Sequence, residues 1–152
     1  MWLDKKTFIE VTKNSPLVSI DLLVEDGSGR FLLGKRLNKP AQGFWFVPGG
    51  RILKNQTLKE AFGAIAQREL NLAVPFEVTK LRGVYEHFYD DNFFEIPGFG
   101  THYVVVAYEF VIPRGAFEKL PRDQHDEWAF LPPGEIEDRT DVHPSSKAFF
   151  KR

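Results

Sequence analysis

The stretch that most constrains this chain is residues 49–72, where two glycines and a polar loop lead into an amphipathic helix. Thr57 is a suitable N-cap for this helix, and Glu60 three residues later can complete a capping box. At 100° per residue, one apolar stripe contains Leu58, Ala61, Phe62 and Ile65. We therefore expect the helix to pack against the core along this stripe.

Glu69 lies in the middle of the same stripe, about 20° from its origin on the helical wheel. A carboxylate at such a position needs an ion pair, hydrogen bonds or a metal ion, because an isolated buried charge is very costly. Two interpretations stay open. Either the last turn frays and Glu69 reaches solvent or Arg51, or Glu69 supplies a hard oxygen ligand to a cation such as Mg²⁺.

Length and charge exclude several broad classes of protein. At 152 residues, we expect residues 1–152 to form a single domain. The net charge of −1 argues against a general nucleic-acid binder, and the lack of cysteine excludes disulfides and thiolate metal sites. The sequence contains neither a signal-like N-terminus nor an apolar run of membrane-spanning length, so we expect a soluble, cytoplasmic protein without a membrane partner.

The remaining pattern is rich in strands and contains two further short helices. A short helix or turn is predicted over residues 4–12 and a helix over residues 144–150. Strands are predicted over residues 16–25, 31–36, 80–89, 101–112 and 128–131. A glycine-rich hairpin turn at residues 26–29 joins the first two strands. This order of elements indicates a mixed α/β or α+β fold.

Three polar or aromatic features each allow a structural and a functional interpretation. Asp21 lies on the less apolar face of its strand, where it either faces solvent or takes part in a site. Trp2 and Phe8 either dock on the core or offer a flat surface to a base. The tract at residues 87–94 is either a binding loop or a surface loop anchored by its aromatic side chains.

Residues 49–72 resemble the Nudix box, whose pattern is G-x5-E-x7-R-E-U-x-E-E-x-G-U, with U an aliphatic residue. When the pattern is aligned from Gly50, its specified positions are occupied by Gln56 for the first Glu, Ala64 for the Arg, Ile65 for the next Glu, Arg68 and Glu69 for the Glu pair, Asn71 for the last Gly and Leu72 for the final aliphatic residue. Of the charged positions only Glu69 is kept, which argues against several bound metal ions.

Motifs along nearly the whole chain resemble the GDP-mannose mannosyl hydrolases, a divergent Nudix branch. They are the runs NKPAQGFWFVPGGR, EHFYDDNFF, THYVVV, DQHDEW and DVHPSSKAFF, together with residues 16–36. The resemblance implies a Nudix α/β/α sandwich around a mixed β-sheet, usually as a homodimer. It also implies Mg²⁺-dependent cleavage of GDP-mannose or GDP-glucose to GDP and hexose, by attack at sugar C1 with inversion.

The same resemblance implies a role for individual residues. One Mg²⁺ per subunit would be held by Gly49, Glu69 and Gln124. The catalytic set would be His125 as the base, Asp21 near the sugar, and Arg36 and Tyr103 at the phosphates. The substrate-binding set would be Trp2, Leu3, Phe8, Arg36, Arg51 and His87.

Two departures from the branch pattern leave alternatives open. Gln56 and Ala64 replace a Glu and an Arg that are often present in this branch, which predicts weaker phosphate contacts or metal affinity. A conventional pyrophosphohydrolase of nucleoside-diphosphate sugars, releasing GMP and a sugar 1-phosphate, is one alternative. A non-catalytic sugar-nucleotide binder is the other.

Overall fold

Seven strands form one mixed sheet in the computed structural model, which describes residues 2–39, 41–117, 120 and 125–151. The strands are β1 (Leu17–Glu25), β2 (Phe31–Arg36), β3 (Trp45–Phe46), β4 (Gly49–Arg51), β5 (Lys80–Tyr89), β6 (Thr101–Val111) and β7 (His125–Leu131). The helices are α1 (Lys5–Asn14), α2 (Leu58–Leu70), α3 (Pro133–Asp138) and α4 (Pro144–Lys147), with 3₁₀ turns at Phe76–Val78 and Arg114–Ala116.

Strand β1 is central and changes its partner along its length. The sheet order is β3-β2-β1-β6-β5, with β4 paired to β1 and β7 paired to β2. The β1–β6 pair is parallel and the other pairs are antiparallel. Strand β1 pairs with β2 at Glu25 and Phe31, but with β4 around Asp21 and Gly49. The short strand β4 therefore brings the glycine pair directly beside the middle of β1.

Hydrophobic clusters cover both faces of the sheet. On one face, α2 packs Phe62 and Ile65 against Ile20 and Leu22 of β1. On the other face, the segment that includes α3 and the C-terminal aromatic residues packs against β2 and β6. The predicted mixed sheet between two helical layers is therefore confirmed.

The predicted capping of α2 is confirmed, and the predicted apolar stripe is confirmed except at its first residue. Thr57 Oγ1 accepts a hydrogen bond of 3.1 Å from Glu60 N. Helix α2 ends at Asn71, which adopts the left-handed conformation with φ of 56°. Leu58 is 44% exposed, because it stands in the first turn of α2 and burial on this face begins only at Ala61.

Two predicted boundaries differ from the observed ones by three residues, and those of α1, β1 and β6 differ by one or two. Strand β7 begins at His125, three residues before the prediction, because its pairing with β2 continues as far as Arg36. The last helix stops at Lys147, and the aromatic residues Phe149 and Phe150 then enter the core as part of a turn. Of the described helices, none is both long and apolar enough to cross a membrane.

Candidate active site

A cavity of about 320 Å³ opens beside β1, β4 and β6. Nine of the residues predicted from the sequence line it: Trp2, Phe8, Asp21, Arg36, Gly49, Arg51, Glu69, His87 and Tyr103. The residues come from α1 and its preceding segment, α2 and five strands, so the cavity depends on the complete sheet and the helix beside it. Such convergence of distant charged side chains is the pattern expected of a ligand site.

Three other predicted site residues are not among the described residues that line the cavity. Leu3 is 44% exposed and is not part of the cavity wall. Gln124 lies outside the described residues. His125 is described by its backbone, which pairs with Arg36 where β7 meets the end of β2.

Two carboxylates form the acidic side of the cavity. Glu69 is 4% exposed, and its Oε1 accepts a hydrogen bond of 3.4 Å from Gly49 N. Asp21 is half-buried, and burial raises its pKa to about 7, an effect that the Arg36 guanidinium opposes and the Glu69 charge reinforces. A carboxyl whose proton affinity is raised by a neighbouring carboxylate marks a favourable location for a cation.

Gly49 is required by the close approach of β4 to β1. A Cβ at this position would collide with Asp21 Oδ1 and would lie 2.7 Å from the carbonyl oxygen of Ile20. Any side chain at residue 49 would therefore push the strand away from both carboxylates. The glycine keeps the backbone within reach of the acidic pair.

The donor set fits one hard divalent cation. Carboxylate and backbone oxygens are the ligands that Mg²⁺ prefers, and Mg²⁺ keeps several water ligands in most protein sites. Across residues 2–39, 41–117, 120 and 125–151, no cluster of three or more His, Cys, Asp or Glu side chains is arranged to hold a metal ion. Glu69, with Asp21 beside it, therefore suits a single ion that is only partly coordinated by protein.

Arginines also line the cavity and lie on aromatic rings. The Arg51 guanidinium carbon lies 3.7 Å from the centroid of the Phe8 ring and 5.2 Å from that of Trp2. The Arg36 guanidinium lies 5.7 Å from the centroid of Phe46, and its Nε donates a hydrogen bond of 3.2 Å to the Asn38 carbonyl oxygen. Stacking of this kind fixes guanidinium planes, which helps them to grip phosphate oxygens.

Two phenols also belong to the cavity wall. Burial raises the pKa of Tyr103, with Arg51 and Arg36 opposing the shift, so its hydroxyl stays protonated at neutral pH. Burial also raises the pKa of Tyr89, whose hydroxyl lies 3.1 Å from Ser145 Oγ. Both hydroxyls are therefore hydrogen-bond donors rather than anions.

His87 is a buried neutral imidazole in the cavity wall. It is 5% exposed, and its Nε2 has no hydrogen-bond partner within the described part of the chain. Burial lowers the pKa of His87 to about 4, and His143 nearby contributes to this shift. A buried nitrogen without a partner is costly unless a ligand satisfies it, so His87 is suited to hydrogen-bond a substrate group.

Sequence reasoning missed several residues of the cavity. Arg68 lines it, although the sequence marked this residue only as a departure from the box. In the sequence, Tyr89 stood out only as part of the aromatic tract. Its hydroxyl contacts Ser145 Oγ, which lies 2.8 Å from His143 Nδ1, and no sequence pattern predicts this chain of contacts. Alternation along β5 offered a clue, because it places His87 and Tyr89 on one face.

Known proteins are similar to this chain in sequence and in fold. The low-salt glycan biosynthesis protein Agl8 of Haloferax volcanii is 43% identical over 103 residues, which are 67% of this chain and 63% of Agl8. The chain thus spans less than two thirds of that relative.

Solved structures share the fold at low sequence identity. The MutT protein from Methanosarcina mazei superposes with a TM-score of 0.70 at 20% identity, covering 90% of this chain and 92% of that one. The MutT NUDIX hydrolase from Burkholderia pseudomallei gives a TM-score of 0.70 at 22% identity, covering 90% and 97%. The NUDIX domain profile matches residues 15–152. The chain therefore belongs to the Nudix domain family.

Proposed function

We propose that this Nudix domain hydrolyses GDP-mannose, and also GDP-glucose, to GDP and free hexose in an Mg²⁺-dependent reaction. Water attacks C1 of the sugar, with inversion. The observation that carries the proposal is the cavity itself, which is lined by buried Glu69, half-buried Asp21 and guanidinium groups that stack on aromatic rings. A cation and a diphosphate can therefore bind side by side. The similarity to Agl8, a protein named for glycan biosynthesis, supports a sugar-nucleotide substrate.

Glu69 and Gly49 would hold the cation, with Gln124 as a further ligand. When bound, Mg²⁺ supplies Lewis-acid stabilisation of the charge on the leaving diphosphate. Diphosphate is already a stable anion, so it needs neutralisation of charge more than a strong proton donor. This requirement matches a site with one metal-binding acid and several fixed positive charges.

Arg36 and Tyr103 would bind the departing phosphate oxygens. Arg36 offers a planar guanidinium that can donate two hydrogen bonds to a phosphate. The Tyr103 hydroxyl keeps its proton because of burial, so it can donate to a developing anion. Both groups are in place before the reaction, which avoids the cost of reorganising the site as charge develops.

His125 is the proposed general base. The register of β7 on β2 places its backbone beside Arg36, at the end of the strand that supplies the phosphate grip. Inversion needs a water activated on the side of C1 opposite the leaving group, and an imidazole with an ordinary pKa near 6.5 suits this step. Asp21 and His87 would hydrogen-bond the sugar and orient C1 toward the water.

The N-terminal segment would contact the nucleotide. Trp2 is 55% exposed, and together with Phe8 it forms an aromatic wall that can stack on a base. Leu3 is proposed to add an apolar contact beside this wall. The expected single domain, homodimer and cytoplasmic location stay predictions.

Identification of the products tests the proposal. Incubation of GDP-mannose with the protein and Mg²⁺ is expected to release GDP and mannose, separated by ion-exchange chromatography, with the initial anomer inverted in the ¹H NMR spectrum. Release of GMP and mannose 1-phosphate would assign a conventional pyrophosphohydrolase instead. Binding of GDP-mannose without turnover at saturating Mg²⁺ would assign a non-catalytic binder. A reaction in excess EDTA provides the metal-free control.

A further inference from the structure

Arg68 reverses the charge of one position of the Nudix box, while the arginine position of the box has lost its charge. The box pattern has a Glu where this chain has Arg68, and an Arg where it has Ala64. Residues 64 and 68 are one turn apart on α2, so their side chains leave the same side of the helix. The guanidinium missing from one position is therefore present at a neighbouring one.

The structure places the Arg68 guanidinium in the cavity. A Cβ at Gly50 would collide with Arg68 Nη2, so the glycine leaves the space that the guanidinium occupies. The Arg68 guanidinium carbon lies 5.3 Å from the centroid of the Trp2 ring, and that of Arg51 lies 5.2 Å from the same centroid. Two guanidinium groups thus share one indole at the entrance of the site.

These two arginines lack a direct carboxylate partner in the described part of the chain. Within residues 2–39, 41–117, 120 and 125–151, neither Arg51 nor Arg68 forms an ion pair with a carboxylate. Burial lowers the pKa of Arg51; the nearby Tyr103 opposes this shift, and the Arg68 charge adds to it. Two like charges held close together in a half-buried site favour an anion that can contact both.

We propose that Arg68 binds the diphosphate of the substrate together with Arg51, and so supplies from the next helical turn the guanidinium that is absent at Ala64. It also provides a fixed positive charge where the box pattern has an acid. The inference rests on the proposed function for the identity of the nucleotide. It predicts a preference for nucleoside diphosphates over monophosphates, because a diphosphate offers one phosphate group to each of the two guanidinium groups.

Binding of GDP measured by calorimetry tests the role of Arg68 without any bond being broken. Arg68→Met keeps most of the aliphatic stem but removes the charge, and is expected to weaken GDP about 10- to 100-fold while weakening GMP much less. Arg68→Lys keeps the charge and is expected to retain most of the affinity. Arg30→Met removes one exposed positive charge outside the cavity and provides the matched control.

A relocation experiment separates phosphate binding from simple packing on Trp2. The double variant Ala64→Arg/Arg68→Met returns the charge to the box position and is expected to recover at least tenfold of the lost GDP affinity. GDP affinity within twofold of the original protein in Arg68→Met would overturn the proposal, as would a double variant with no recovery. Melting curves of each variant identify loss of folding.

The binding measurements test the role of Arg68, and the product analysis tests the proposed reaction, so either claim can be rejected without the other. GDP binding does not depend on which bond the protein breaks, so release of GMP from GDP-mannose would reject the proposed reaction and leave the role of Arg68 intact. Conversely, an unaltered GDP affinity in Arg68→Met would reject the role of Arg68 and leave the proposed reaction intact.

Discussion

Replacement of Asp21 by asparagine is expected to stabilise the metal-free protein at alkaline pH. The Asp21 carboxyl has a pKa of about 7 in the folded protein, compared with an ordinary value of 3.8. A group with a raised pKa binds more protons in the folded than in the unfolded state, so stability falls as pH rises from about 4 to about 7. Asparagine is neutral throughout and removes this dependence.

The size of the gain follows from the difference in pKa. A rise from 3.8 to about 7 corresponds to about 4 kcal/mol at 1.36 kcal/mol per pKa unit. Asp21 is only half-buried, and its accessible surface faces the cavity, where water reduces the cost of the charge. We therefore expect a gain of roughly 2 kcal/mol in the free energy of unfolding above pH 8, and almost none below pH 4.

Urea denaturation in EDTA, repeated from pH 4 to pH 9, measures this effect. The difference between Asp21→Asn and the original protein should grow through the interval from pH 4 to pH 7 and then stay constant. Asp138→Asn, which removes an exposed carboxylate, is the matched control and should show no such growth. A difference that is independent of pH, or a loss of stability at pH 9, would show that the Asp21 carboxyl does not have a raised pKa in the folded protein.

Three further substitutions test separate parts of the account. His125→Gln is expected to lower kcat by about 10²- to 10⁴-fold with little change in the Kd for GDP, and unchanged kcat would remove His125 as the base. Glu69→Gln should raise the Mg²⁺ concentration for half-activation about tenfold or more, measured by titration of activity, whereas unaltered metal dependence would reject Glu69 as a ligand. Phe62→Ala should lower the free energy of unfolding by about 3–5 kcal/mol, because the ring is fully buried against Phe76, Tyr108 and Phe110; a loss below 1 kcal/mol in urea denaturation would contradict this packing.

Local patterns in the sequence predicted the fold well where one residue dictates the backbone. The bounds of β2 and β5 were predicted without error, and for β2 the glycine-rich turn that precedes the strand marks its start. Thr57 predicted the start of α2 for the same reason, because a cap acts within one turn. The start of β7 was missed because it depends on pairing with β2, which a local pattern does not contain.

The sequence predicted the acidic residues of the candidate site better than its arginines. Glu69 stood out because a carboxylate within an apolar stripe needs a partner. Arg68 did not stand out, because an arginine near the end of a helix is ordinary on a solvated face. Its place in the cavity depends on the space that Gly50 leaves and on the nearby Trp2 ring, which are contacts of the folded chain. The contact between Tyr89 and Ser145 joins residues 56 positions apart, so it follows from the fold and not from any motif.

The proposed reaction breaks the bond between sugar carbon and oxygen and not the bond between two phosphates. Hydrolysis of GDP-mannose with Mg²⁺ in ¹⁸O-labelled water, followed by mass spectrometry of both products, distinguishes the two bonds. Attack at the sugar carbon is expected to leave one ¹⁸O atom in the released hexose and none in GDP. Label in a phosphate product, with unlabelled sugar, would contradict it.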